Sequence, residues 1–154
     1  MFIKKQFYQK ENFLGLDLGE KTLGISFSKF GIIAKNLKTI HFQRHQYSKL
    51  ILPLANLIRE MNINIIVLGN PKHMNNNVGV KSKISIAFGK KIKKYFPSVE
   101  VFLWDERLST QEAINNMHQI KYKKNRILKL KDEMAAAIIL QNFLNYQKYH
   151  NKFD

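Results

Sequence analysis

The chain has 154 residues, enough for one compact domain burying about 70% of its extended surface, and its 26 Lys and Arg against 11 Asp and Glu give a net charge of +15. That excess points to polyanionic partners, nucleic acid first, because phosphate contacts draw their strength from clustered cations, whereas a peripheral membrane protein would concentrate its charge on one amphipathic helix. With no Cys, disulfides and thiolate metal sites are excluded and any metal must be held by carboxylate or imidazole; no stretch reaches the roughly 18 apolar residues of a membrane span, so a cytoplasmic protein with no membrane contact is expected.

Residues 1–11 read as a flexible lead-in and 147–154 as a flexible tail, around a single domain spanning 1–154. "NFLGLDL" and "TLGISFSK" are short apolar runs separated by "GEK", the pattern of two antiparallel strands joined by a tight turn. A third strand follows in "IIAKNLKTIHF" after a turn at Gly31, completing a meander. "YSKLILPLANLIREM" places Leu50, Leu54, Leu57, Ile58 and Met61 at helical spacing, with Pro53 near its start, where proline is tolerated. "INIIVLG" is a continuous apolar run closed by Gly69 and Pro71, as in a strand buried on both faces.

"NPKHMNNNVG" is then a loop, and from about Asn77 to Phe96 a Lys-rich helix carries Val80, Ile84, Ala87, Phe88, Ile92 and Phe96 on its apolar face until Pro97 stops it. "VEVFLWDE" is another buried strand. "STQEA" opens a helix with a capping box, Ser109 to Glu112. "MHQIKYKKNRILK" is basic and aperiodic and reads as a mobile loop; the last helix runs from about Ile127 to Tyr149, with an apolar face through Met134, Ile138, Leu140 and Leu144.

The order βββαβαβαα predicts an α/β fold: a three-stranded antiparallel meander extended by two strands that helical crossovers bring parallel to the first, flanked by helices. Ligands of such sheets gather beyond the carboxyl ends of the parallel strands, here "GLDLG", "VLGNP" and "LWDER". Asp17 ends the first of these strands, Glu106, beside Asp105, ends the last, and Asp132 sits early in the final helix with Ala135, Ala136 and Ile139 on its own face. Singly, Asp17 could shape a turn, Glu106 could pair with Arg107 and Asp132 could cap a helix. Three acids converging on one edge point instead to hard divalent cations, Mg2+ or Mn2+. Two such ions, ~4 Å apart, are the usual device for in-line phosphodiester hydrolysis.

"GLDLGEKTLGIS", "VLGNPKHMNNNVG", "VFLWDERLSTQEA" and "KDEMAAAIILQNFL" resemble the four motif blocks of the bacterial YqgF-type pre-16S rRNA nuclease family, also described as Holliday junction resolvase-like. The resemblance covers about Phe13 to Leu144, and "DERLST" is its most specific block. It implies a ribonuclease H-like fold, a cytoplasmic hydrolase that matures the 5′ end of 16S rRNA during ribosome biogenesis, ribosomal particles as partners, and Asp17, Glu106 and Asp132 as the catalytic acids. The loop departs from the family pattern: Asn70 and Lys72 stand where apolar residues are usual, and an Asn tract replaces a Gly and acidic residues.

Around the acids, Lys21 and Arg107 are candidates to hold the scissile phosphate, and Lys72 and His73 to contact nucleic acid from the loop. Lys123 and Lys124, with the Lys run at 90–94, are candidate backbone tracks. Trp104, alternating with Asp105, is expected in the core. Two rival readings remain: a resolvase acting on branched DNA with the same chemistry, and a non-catalytic RNA-binding assembly factor. A sugar kinase needs a second lobe that 154 residues do not house.

Overall fold

The computed structural model describes residues 11–71, 78–106 and 124–151, with backbone alone at 78, 124–133, 150 and 151. Strand β1 (Asn12–Leu18) is central, so both faces of "FLGL" are buried. It turns into β2 (Thr22–Ser28), antiparallel, through a bond from the Gly19 N–H to the Thr22 carbonyl at 2.7 Å. The next turn places Phe30 and Gly31 consecutively in the left-handed region, φ 62° and 71°. A Cβ at Gly31 would lie 2.9 Å from the Phe13 ring, so only glycine fits. Strand β3 (Lys35–His41) is the exposed edge, bulged against Ile25 and Ser26, a device that blunts an open edge.

A short 3-10 turn (Tyr47–Leu50) leads into α1 (Ile51–Glu60). Leu50, Leu54 and Leu57 are its buried stripe, each contributing about 2 kcal/mol by leaving water. It ends where Asn62 adopts φ 51°, a left-handed residue just past the last turn. Strand β4 (Ile63–Asn70) then lies parallel to β1, and α2 (Val78–Tyr95) crosses to β5 (Glu100–Asp105), parallel to β4. Helix α3 (Lys124–Asn151) closes the described chain. The sheet order β3-β2-β1-β4-β5 is the expected meander plus two parallel strands.

Alternation along the strands divides the core in two. Leu14, Leu16, Leu23, Ile25, Ile66 and Leu68 face α1 and α2, together with Phe88 and Ile92. Phe13, Ile65, Val67 and Trp104 face α3 with Ile139, Leu140 and Phe143. Trp104 is 8% exposed, as expected of a core residue, and sits edge-on to Phe143 and Tyr146.

Helix α3 approaches the sheet closely over glycine. A Cβ at Gly15 would stand 2.7 Å from both the Ala136 carbonyl oxygen and the Leu140 Cβ. The Ser26 hydroxyl beside it donates to that same carbonyl at 2.7 Å. Contacts of Leu144 near Gly31 and Phe13, Leu140 at Gly15 and Ala136 at Gly24 give the helix its direction: its amino end advances toward the carboxyl end of β1.

Several expectations are corrected. Helix α3 starts at Lys124 rather than Ile127, so Lys124 is helical and not in a loop, and it runs through Asn151, with Gln147 buried in what reads as a tail. Its buried residues are Ala136, Ala137, Ile139, Leu140, Phe143 and Leu144, while Met134 and Ile138 are only half-buried. In α2, Val80 and Ala87 are exposed, and Ser85 and Gly89 are buried in their place, because small side chains let the helix settle on Leu68 and Leu103. The helix expected at "STQEA" and the loop up to Lys123 lie outside the described residues. Among the described residues, no helix is long and apolar enough to cross a membrane.

Candidate active site

Phe13, Gly15 and Asp17 alternate onto the α3 face of β1. Asp17 is half-buried, the last side chain on that face before the Gly19 turn, and its Cβ borders Gly24 across the β1–β2 pair, as does the Cβ of Ala136. On β5 the same face carries Phe102 and Trp104, whose rings meet Phe143 at 5.6 and 5.9 Å. Glu106 follows directly after the strand end at Asp105, and its carboxyl lies on this same face, against Gly69 and beside Ile139.

Gly69 makes room for Glu106. It sits between the two acids in the sheet, paired with Trp104 of β5 and one step beyond the Leu16 to Leu68 pair of β1 and β4. A Cβ there would lie 2.9 Å from Glu106 Oε1 and 2.6 Å from Ile139 Cδ1. The Glu106 carboxyl therefore lies over the bare backbone of β4, on the Asp17 side of its own strand. Burial first, then the negative charges of Asp17 and Asp105, push its pKa up from 4.5 to about 7. Asp17 and Glu106 are thus near enough to feel each other's charge.

Asp132 belongs to α3, one turn before Ala136 on the same helix face. Since Ala136 stands against Gly24 beside Asp17, the helix axis brings the Asp132 backbone, about 6 Å further along, to the carboxyl-end edge where Asp17 and Glu106 lie. Its side chain is outside the description, and among the described residues no group of three His, Cys, Asp or Glu is arranged to hold a metal. Asp17 and Glu106 nonetheless fit a hard cation: both are oxygen donors, and a positive charge between them would offset the repulsion and burial that raise Glu106.

Lys21 is exposed in the β1–β2 turn at this edge, its carbonyl accepting from the Phe42 N–H at 2.9 Å. Lys124 starts α3. Lys72, His73, Arg107 and Lys123 lie outside the described residues. Three residues that position the site were not assigned to it from the sequence. Gly69 and Ser26 were signalled only by being small within otherwise apolar strands. The third is Asn70, 2% exposed, whose Oδ1 accepts from the Ser82 hydroxyl at 2.8 Å and ties the start of α2 to the edge.

Similarity to known proteins follows the same lines. A relative from Onion yellows phytoplasma (strain OY-M), named "Putative pre-16S rRNA nuclease", is 58% identical over 137 residues, covering 89% of this chain and 91% of its own. One of the same name from Staphylococcus epidermidis (strain ATCC 35984) is 36% identical over 137 residues, covering 88% and 96%. Among solved structures, "T. thermophilus RuvC in complex with Holliday junction substrate" superposes with a TM-score of 0.56 at 11% identity, covering 90% of this chain and 96% of that one. At that identity the likeness is one of fold, the ribonuclease H-like sheet. The family model described as "RuvX: Holliday junction resolvase" matches residues 11–146, and with most of its length matched, this chain belongs to the RuvX family.

Proposed function

We propose that this protein is a single-domain, metal-dependent nuclease that hydrolyses phosphodiester bonds and trims the 5′ end of precursor 16S rRNA on ribosomal particles. The observation that carries the reading is the Glu106 carboxyl lying over Gly69 within the electrostatic reach of Asp17, at the edge where parallel strands end. The names of its relatives supply the substrate.

Asp17, Glu106 and Asp132 are the residues that would hold Mg2+ or Mn2+. Two bound ions would supply Lewis acidity for an in-line displacement at phosphorus. The chain itself contributes rigidity: Gly69, Ile139 and the Ser26 bond to Ala136 fix where the acids stand. Lys21, Lys72, His73, Arg107, Lys123 and Lys124 are assigned to the nucleic-acid backbone, which they hold without reading sequence.

Asp17→Asn tests this. Mg2+-dependent cleavage of a precursor 16S rRNA fragment should disappear while RNA affinity holds or rises, since a negative charge near phosphate is removed. Unchanged turnover would remove Asp17 from the chemistry. The description of the family model favours a second reading, a resolvase of branched DNA. Cleavage of a four-way DNA junction but not of precursor RNA would select it, and tight RNA binding without cleavage of either substrate would select an assembly factor.

A further inference from the structure

A cleft of about 340 Å3, its open mouth included, lies at the carboxyl end of β1 on the sheet face away from the paired acids. Leu18, Gly19 and Glu20 form one wall, Tyr47 another, and Lys81 and Ile84 of α2 the third. Leu18 continues the alternation of Leu14 and Leu16 toward α1 and α2, which sets the cleft behind the edge that Asp17 occupies in front.

From this arrangement we infer that the cleft receives one unpaired nucleotide of the substrate strand, next to the phosphate that is cut. The inference rests on the nuclease reading above and adds a subsite to it. The shape matches: the cleft is open to solvent on one side, as a site entered by an extended strand must be. The walls match as well. Tyr47, half-buried and braced by the rings of Phe42 and Phe88 at 5.5 and 6.4 Å, offers an aromatic surface to a base, with Leu18 and Ile84 as its aliphatic counterparts.

The charges are placed for a nucleotide. Lys81 is exposed at the mouth, with Lys83 exposed nearby on α2, suited to the phosphate. Glu20, paired with Arg44 at 3.4 Å, gives an acceptor for an exocyclic amine or a ribose hydroxyl. The Ser82 bond to buried Asn70 fixes the α2 wall against the strand end. Gly19, which lines the cleft, is two residues past Asp17, so a strand that leaves the cleft over the end of β1 runs toward the acids.

Photocrosslinking tests the inference on the full-length chain in EDTA, with a short single-stranded RNA carrying 4-thiouridine at successive positions. The expected result is a crosslink to Tyr47 or to the 81–85 turn from one position of the strand. Ile84→Trp, which fills the cleft, should abolish it. Lys81→Glu should weaken RNA binding at least fivefold more than Lys38→Glu, the same charge change on the exposed β3 edge. Crosslinks confined to other segments, or equal losses for Lys81→Glu and Lys38→Glu, would overturn the proposal. A mononucleotide that protects Tyr47 while the RNA strand never crosslinks there would also overturn it, since the occupant would then be a free ligand. Cleavage in Mg2+ separates the two levels. Cutting without a crosslink to Tyr47 or the 81–85 turn removes the cleft and leaves the nuclease; such a crosslink without cutting removes the nuclease and leaves the cleft.

Discussion

Replacing Glu106 by Gln should change how stability depends on pH. The folded protein holds this carboxyl at about 7 against 4.5 ordinarily, so between those values the native state binds a proton that the unfolded chain releases. A raised pKa contributes stability that is complete below 4.5 and is lost as pH rises through about 7. The full rise is equivalent to about 3.4 kcal/mol at ~1.4 kcal/mol per pKa unit. Because the group is about a third open to solvent, screening reduces this to about 2 kcal/mol. Urea denaturation in EDTA at pH 4.5, 6, 7 and 8 measures it. The stability difference between Glu106→Gln and wild type should move by about 2 kcal/mol in favour of Gln across that range, most steeply between pH 5 and 7. Mg2+ at pH 8 should then stabilise the wild type and not the variant, and its apparent affinity should fall below about pH 7 as Glu106 takes up a proton. A difference constant to within about 0.5 kcal/mol would refute the placement of Glu106 in a buried, negatively charged setting.

Gly69→Ala should act on the site more than on the fold. The atoms a Cβ would meet, Glu106 Oε1 and Ile139 Cδ1, are flexible ends, so the stability cost is about 1–2 kcal/mol. A Glu106 carboxyl displaced by ~1 Å would cost on the order of a hundredfold in cleavage rate. Gly15→Ala is the opposite case: its Cβ meets the Ala136 carbonyl and the Leu140 Cβ, neither of which can swing aside. It should destabilise by about 3 kcal/mol in urea, while Gly24→Ala, whose nearest atoms are 3.6 Å away, should stay within about 1 kcal/mol of wild type. Equal effects at the two glycines would contradict the close seating of α3. Affinity for RNA, measured by fluorescence anisotropy, should fall about 10³-fold from 50 to 200 mM salt if about six phosphates are contacted; a flat response would remove the lysines from the interface.

The strands were legible in the sequence because burial writes itself into them. In "IIVLG", residues 65–69, every position is buried, and the crossover rules leave few ways to order five strands. Between the adjacent acids it is the bare backbone of Gly69 that marks out Glu106, since strand β5 ends at Asp105. Helix phase was less legible. The α2 apolar spacing was read onto Val80 and Ala87, but the helix turns Ser85 and Gly89 inward instead, Gly89 against Leu68 and Leu103, small residues with no hydrophobic signal. The start of α3 was missed because Lys and Arg there break any apolar stripe, although both are good helix formers.

The three acids were proposed together from the sequence; what the fold adds is how the Glu106 carboxyl is seated. Each is ordinary in its own stretch of sequence, and a chain of net charge +15 offers carboxylates abundant cations to pair with at the surface. What distinguishes Glu106 is the glycine beneath it and the negative charge of Asp17 beside it, and neither adjoins it in sequence. Lysines on the exposed turns can gather a polyanion at long range, but their charge also repels free divalent ions. A site proposed to bind both has to place its negative charge where lysine cannot follow, under a helix and over bare backbone. Gly15, Gly69 and the Ser26 bond to Ala136 create that shelter. Mutations at these uncharged positions should therefore impair metal binding while leaving the electrostatic attraction for nucleic acid intact.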